Sequence, residues 1–94
     1  MKLKYTRRGF ADRGEIFEFL AERSPMGAKS VMARLDAAID QLLAQPLSGQ
    51  ATDVPGVRVL FVRRYPYKVF YHLRDDVLEI VHLRHTARRL PDDI

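Results

Sequence analysis

Cysteine is absent from all 94 residues, which removes disulfide staples, thiol nucleophiles and cysteine-based zinc sites together. The three histidines have no cysteine or spaced carboxylate companions, so neither a metal nor another cofactor is expected. Also missing is any uninterrupted apolar run of membrane-spanning length. Met1-Lys2-Leu3-Lys4 leads into a polar helical pattern rather than an apolar signal core. The expectation is a soluble, cytoplasmic protein with no membrane partner. Internal repeats and low-complexity stretches are lacking too, and the length suits one compact domain over 1–94 with a marginal core, which a partner would help to bury.

What is present is basic charge, placed unevenly. Sixteen Lys and Arg against twelve Asp and Glu give +4, suited to a nucleic acid or an acidic protein surface. Arg58, Arg63, Arg64, Lys68, Arg74, Arg84, Arg88 and Arg89 fall in the later half, and acids are sparse between Arg58 and Arg74. That half is expected to bind the target.

Periodicity divides the chain. Lys2-Leu3-Lys4-Tyr5 alternates as a short strand, and Thr6 is placed to cap a helix. From Arg7 to Arg23, Phe10, Ile16, Phe17, Phe19 and Leu20 alternate with Asp12, Glu15, Glu18 and Glu22 in an amphipathic pattern. Gly9 and Gly14 weaken it, so either its first turns fray or a small residue permits close packing. Ser24-Pro25 closes this helix and opens the next, in which Ala28, Val31, Met32, Leu35, Ala38, Ile39, Leu42 and Leu43 keep a three-four spacing. The stretch from Gln45 to Gly56 reads as loop.

The remainder reads as strands. Val57–Val62 sets Val57, Val59 and Phe61 against Arg58, Leu60 and Val62. After Arg63-Arg64-Tyr65-Pro66, a second strand from Tyr67 puts Tyr67, Val69, Tyr71 and Leu73 opposite Lys68, Phe70 and His72. A third covers Val77–Leu83 after an Asp75-Asp76 turn, and Arg84 to Leu90 reads as a basic tail with 91–94 frayed. The expected fold class is α+β, in the order β-α-α-β-β-β. An N-terminal strand and an antiparallel helix hairpin pack on a small, mostly antiparallel sheet.

Thr6, Asp12 and Ile16 in the first helix, Pro25 and Ala28 in the second, Leu42 with Pro46 and Gly49, then Arg58, Tyr65-Pro66-Tyr67-Lys68-Val69-Phe70-Tyr71, and finally His85 and Arg88 occur in an order that resembles the RelE/ParE superfamily of type II toxins. Gln50 departs from the arginine frequent in that loop, Arg13 from an apolar position and Gly9 from a small helical residue.

The resemblance implies a toxin held in a hetero-oligomer by a cognate antitoxin, through which alone it would meet operator DNA. RelE-like members cut messenger RNA on the ribosome, whereas ParE-like members poison DNA gyrase. Metal-free RNA cleavage needs a base, an acid and phosphate-binding cations, for which Lys68, Arg84 and His85 are the candidates, with Arg58 as a phosphate clamp and Tyr65 or Tyr67 as stacking partners. Yet no lysine lies between Gln50 and Gly56, and no tyrosine follows Tyr71. The ParE-like reading is therefore favoured, with Arg58, Arg63, Arg64, Tyr65, Tyr67, Arg84, Arg88 and Arg89 as target contacts and Phe10 and Phe17 as antitoxin contacts. A non-toxic nucleic-acid-binding module is the third alternative.

Simpler roles compete for the same residues. His72 and His82 suit satisfied sheet histidines, Tyr67 and Tyr71 suit packing under the hairpin, and Arg63-Arg64 suits a solvated turn. Arg58, within a β-branched strand, must snorkel, pair or face a groove, and the groove is the expectation.

Overall fold

A computed structural model describes residues 1–87. Arg88, Arg89 and the expected frayed end lie outside the described residues. The chain runs β1 (Lys2–Tyr5), α1 (Arg7–Ala21), α2 (Pro25–Ala44), β2 (Gln50–Ala51), β3 (Val57–Phe61), β4 (Tyr67–Arg74) and β5 (Val77–His85). The strands form one sheet in the order β1-β5-β4-β3-β2, antiparallel except where β1 pairs with β5.

Local signals set the helix boundaries. Thr6 Oγ1 accepts from the Gly9 N–H at 2.9 Å, and Ser24 Oγ accepts from the Gly27 N–H at 3.0 Å, each satisfying a free donor of the first turn. Pro25, at the start of α2, needs no hydrogen-bond partner there. The two helices are further joined by Arg13, whose guanidinium lies 2.8 Å from Asp36 on α2 and also donates to the Tyr5 hydroxyl. Burial pushes the Tyr5 phenol up, an effect the Arg13 charge partly offsets.

The helices cover one face of the sheet. Val31, Leu35, Ile39 and Leu42 of α2 meet Tyr67, Val69 and Tyr71 of β4 and Leu78, Ile80 and Leu83 of β5. The opposite face carries a smaller cluster of Val57, Val59 and Phe70. In an even strand Ile80 and Leu83 would point to opposite faces. Both reach the same core because β5 contains an irregularity: Phe70 pairs with His82 and Tyr71 with Ile80, leaving Val81 over.

Helix α1 is fastened to this bulge. Thr6 donates through its N–H to the Ile80 oxygen at 2.9 Å, and its hydroxyl lies 3.3 Å from the Ile80 and Val81 carbonyl oxygens. A Cβ on Gly9 would run into the Ile80 carbonyl, so close packing rather than fraying explains this glycine. Asp12, expected on the solvent face, is 5% exposed instead. Its Oδ2 accepts from the Leu83 N–H at 3.1 Å and stands 2.9 Å from His82 Nδ1, while Oδ1 accepts from Arg8 Nε at 3.0 Å.

Three expectations need correction. Gln50-Ala51 is a strand rather than loop, because its backbone pairs with Val59 and Arg58 along the free edge of β3. Arg84 and His85, read as tail, complete β5 by pairing with Lys68 and Tyr67. Asp12 is buried because β5, running on past the end of β1, offers it the Leu83 main-chain N–H. The Asp75-Asp76 turn does link β4 to β5, and only Asp75 takes a positive φ, which excludes a type I′ turn.

Replacing Asp12 by Ala should lower unfolding free energy by about 3 kcal/mol, since it strands the Leu83 amide and the His82 ring in the interior. Urea unfolding of Asp12→Ala beside Arg8→Ala, with only the former strongly destabilised, is the expected outcome.

Candidate functional site

The basic residues converge at the end of the sheet where β3 turns into β4 and β5 finishes. Register sets Phe61 opposite Lys68 and Lys68 opposite Arg84, so an exposed aromatic and two cations form a row across three strands. Two like charges directly opposite each other repel. Among the described residues neither Lys68 nor Arg84 takes part in an ion pair, and the Arg84 Nε is buried without a hydrogen-bond partner. Lys68 Nζ donates to the Thr86 carbonyl at 3.2 Å and lies 5.3 Å from the centre of the Phe70 ring.

The turn beside this row is built from Arg63, Arg64, Tyr65 and Pro66. Val62 donates to the Tyr67 carbonyl at 2.9 Å, and Thr86 donates to the Pro66 carbonyl at 2.8 Å, tying the turn to the chain leaving β5. Arg63 and Arg64 are exposed, and Arg64 holds a left-handed backbone at φ +76°. Tyr65 packs partly on the core. Tyr67 is itself a core residue, so its ring is committed to packing.

His85 is set apart from Lys68. Its ring meets the Tyr67 ring edge-on at 5.9 Å, and its Nδ1 accepts from the Ala87 N–H at 3.2 Å. Tyr67 belongs to the helix-covered face, whereas Lys68 leans on Phe70 of the other cluster. The base, acid and cation proposed from the sequence are thus divided between two faces. Of the other histidines, His82 is the satisfied sheet residue that a simple reading expects, and His72 lies 3.4 Å from the Arg74 guanidinium.

Arg58 pairs rather than facing an open groove. Its guanidinium donates to the Gly49 carbonyl at 2.7 Å and to the Leu47 carbonyl at 3.3 Å. Tyr71 holds the same loop from below: its hydroxyl donates to the Pro46 carbonyl at 2.7 Å and accepts from the Gly49 N–H at 3.1 Å. A side chain on Gly49 would strike that hydroxyl, which is why the loop needs glycine there.

On α1, Phe10 and Phe17 are seven residues apart and share a helix face, and both are exposed. On a different face of α1 a cleft of about 290 Å³ opens toward the end of β5, bordered by Arg8, Glu15, Phe19, Tyr67, Arg84 and His85. Phe19, the cleft carboxylate of Glu15 and the exposed Phe61 were not singled out in the sequence as site residues. The Phe61 signal lies in register alone, since only strand pairing brings it beside Lys68. Among the described residues no group of three His, Asp or Glu is placed to hold a metal. No helix in the described residues is long and apolar enough to cross a membrane.

The chain thus lays a strand and helix hairpin over a small mixed sheet, with cations gathered at one end of the sheet. The sequence model for the ParE toxin of type II toxin-antitoxin systems matches residues 3–90, and the chain belongs to that family. It is 31% identical over 84 residues to Toxin RelE2 of Caulobacter vibrioides, covering 89% of this chain and 93% of that protein. Among solved structures it superposes on a chain of the chromosomal ParDE system from P. aeruginosa with a TM-score of 0.78 at 25% identity, covering 90% and 95% of the two chains. A chain of the intact E. coli RelBE toxin-antitoxin complex gives 0.70 at 15% identity, with 93% and 98% covered, and shares the fold. This chain is thus a type II toxin of the RelE/ParE superfamily, and a cognate antitoxin is its partner.

If Arg58 acts as a fastener, Arg58→Ala should speed amide exchange at Gly49 and in β2 about tenfold or more while leaving the α2 amides unchanged. A variant that loses target binding with unaltered exchange in this loop would instead mark Arg58 as a direct contact.

Proposed function

We propose that this toxin acts in the cytoplasm by poisoning DNA gyrase, and that its antitoxin neutralises it by covering the helix hairpin at Phe10 and Phe17. The observation that carries the target reading is the in-register Lys68–Arg84 pair, flanked by Phe61 and the Arg63-Arg64 turn. Opposed cations without an internal counter-ion are a standing electrostatic cost, and an anionic target relieves it. An acidic gyrase surface with its cleaved DNA supplies such charge. Arg84, Arg63, Arg64 and Tyr65 are the contacts assigned to it, and Arg58 serves by holding the neighbouring loop. The work is binding rather than chemistry, since His85 sits on the other face of the sheet from Lys68.

The family match and the ParDE superposition support the gyrase reading. Two observations favour ribosome-dependent mRNA cleavage instead: a relative named Toxin RelE2 stands at 31% identity, and strand register sets Lys68 directly opposite Arg84. That reading keeps Lys68 and Arg84 on the scissile phosphate and requires His85 to swing to their side.

Purified gyrase separates the two. Micromolar toxin should inhibit supercoiling and accumulate cleaved DNA, and Lys68→Ala and Arg84→Ala should each weaken inhibition about tenfold, with the wild-type effect fading as salt rises. Full supercoiling in the presence of toxin, together with cleavage of ribosome-bound mRNA, would overturn the proposal.

A further inference from the structure

The cleft between α1 and the end of β5 is lined by three donors that none of the described residues uses. Tyr67 is 9% exposed, yet its hydroxyl makes no hydrogen bond to a described residue. A phenol held in a core ordinarily finds a partner, so an unpaired one marks a place where something else can bind. His85 accepts the Ala87 N–H at Nδ1, which in the neutral ring puts the proton on Nε2, and that nitrogen too has no partner among the described residues. Arg84 borders the same cleft outside any ion pair among those residues, with its Nε buried and unbonded.

The acids of the cleft do not answer this charge. Arg8 donates to Asp12 at 3.0 Å and to Glu15 at 3.2 Å, and Asp12 also holds the Leu83 N–H and the His82 ring. That wall is paired within itself and leaves Arg84 as an uncompensated cation. The remaining lining is apolar: Ile16, Leu83 and the ring of Phe19, which is 53% exposed. The cleft volume of about 290 Å³ is roughly twice the ~150 Å³ of an apolar cavity that takes up benzene, so a ring with a charged substituent fits.

We propose that this cleft binds a small ring-bearing carboxylate. Its planar body lies against Phe19 and Ile16, and its carboxylate meets Arg84, with the Tyr67 hydroxyl and His85 Nε2 as further donors. A carboxylate matches a single guanidinium in both charge and two-pronged shape. A phosphate dianion brings twice the charge to one free cation, with Asp12 and Glu15 close by. Occupancy neutralises half of the Lys68–Arg84 pair and so weakens target binding; only that consequence rests on the gyrase reading, and ligand binding stands or falls without it.

Amide NMR of the purified toxin, titrated with naphthalene-2-carboxylate, tests this against acetate, naphthalene-2-carboxamide and inorganic phosphate. The carboxylate should bind with a Kd of about 0.3 mM and shift Phe19, Arg84 and His85, while the three comparison probes bind about tenfold more weakly or worse. Tyr67→Phe keeps the packed ring and should lose about fivefold in affinity, and Arg84→Gln about tenfold. Equal binding of the carboxamide overturns the proposal in favour of a plain apolar patch, and equal binding of phosphate in favour of a general anion site. Unchanged affinity in both variants, or no shift at about 5 mM carboxylate, overturns it outright.

Discussion

The carboxylate of Asp12 is the contact on which the rest of this structure depends. Strand β1 covers β5 only as far as Ile80, and beyond it Asp12 accepts from the Leu83 amide while holding the His82 ring with the same oxygen. Thr6 and Gly9 bring it there, one by bonding to the Ile80 and Val81 carbonyls, the other by having no side chain to strike Ile80. The three residues are spaced three apart and so share one face of α1. Because the bulge shifts the alternation, Ile80 and Leu83 both enter the helix-side core, and the strand continues far enough to set Arg84 beside Lys68. The bulge thus sets which β5 side chains enter the helix-side core.

The molecule then has two working regions with different chemistry. One end is basic and aromatic, built from Phe61, Lys68, Arg84 and the Arg63-Arg64 turn, and its electrostatics suit an anionic target. The hairpin is apolar at Phe10 and Phe17, and suits a partner that folds onto the toxin. A toxin that must be both active and restrainable needs such separate surfaces, or surfaces close enough for the restraint to block the activity. The cleft bordered by Phe19, Arg84 and His85 adjoins the basic end, between α1 and the end of β5.

Much of the fold was legible in the sequence because its signals are local. The three-four spacing of α2, the caps at Thr6 and Ser24, and the alternation along β4 each arise from neighbouring residues. What escaped depended on distant partners. Asp12 looks like any acid on an amphipathic helix until Leu83 and His82 are brought to it from 70 residues away. Strand β2 is two residues long and has no periodicity to read. Arg58 was assigned to a groove because its partners, the Leu47 and Gly49 carbonyls, carry no side-chain signature. Register also divided Lys68 from His85, which adjacency in a list of basic residues could not show.

In the proposed function an anionic gyrase complex, not a scissile RNA, is what the Lys68–Arg84 row meets. Inducible expression in a bacterium, with and without the antitoxin, tests it most directly when growth, cell length, a DNA-damage reporter and amino-acid incorporation are followed together. Filamentation with reporter induction while translation continues, relieved by the antitoxin, is the predicted result. Immediate loss of translation with undamaged DNA would contradict it.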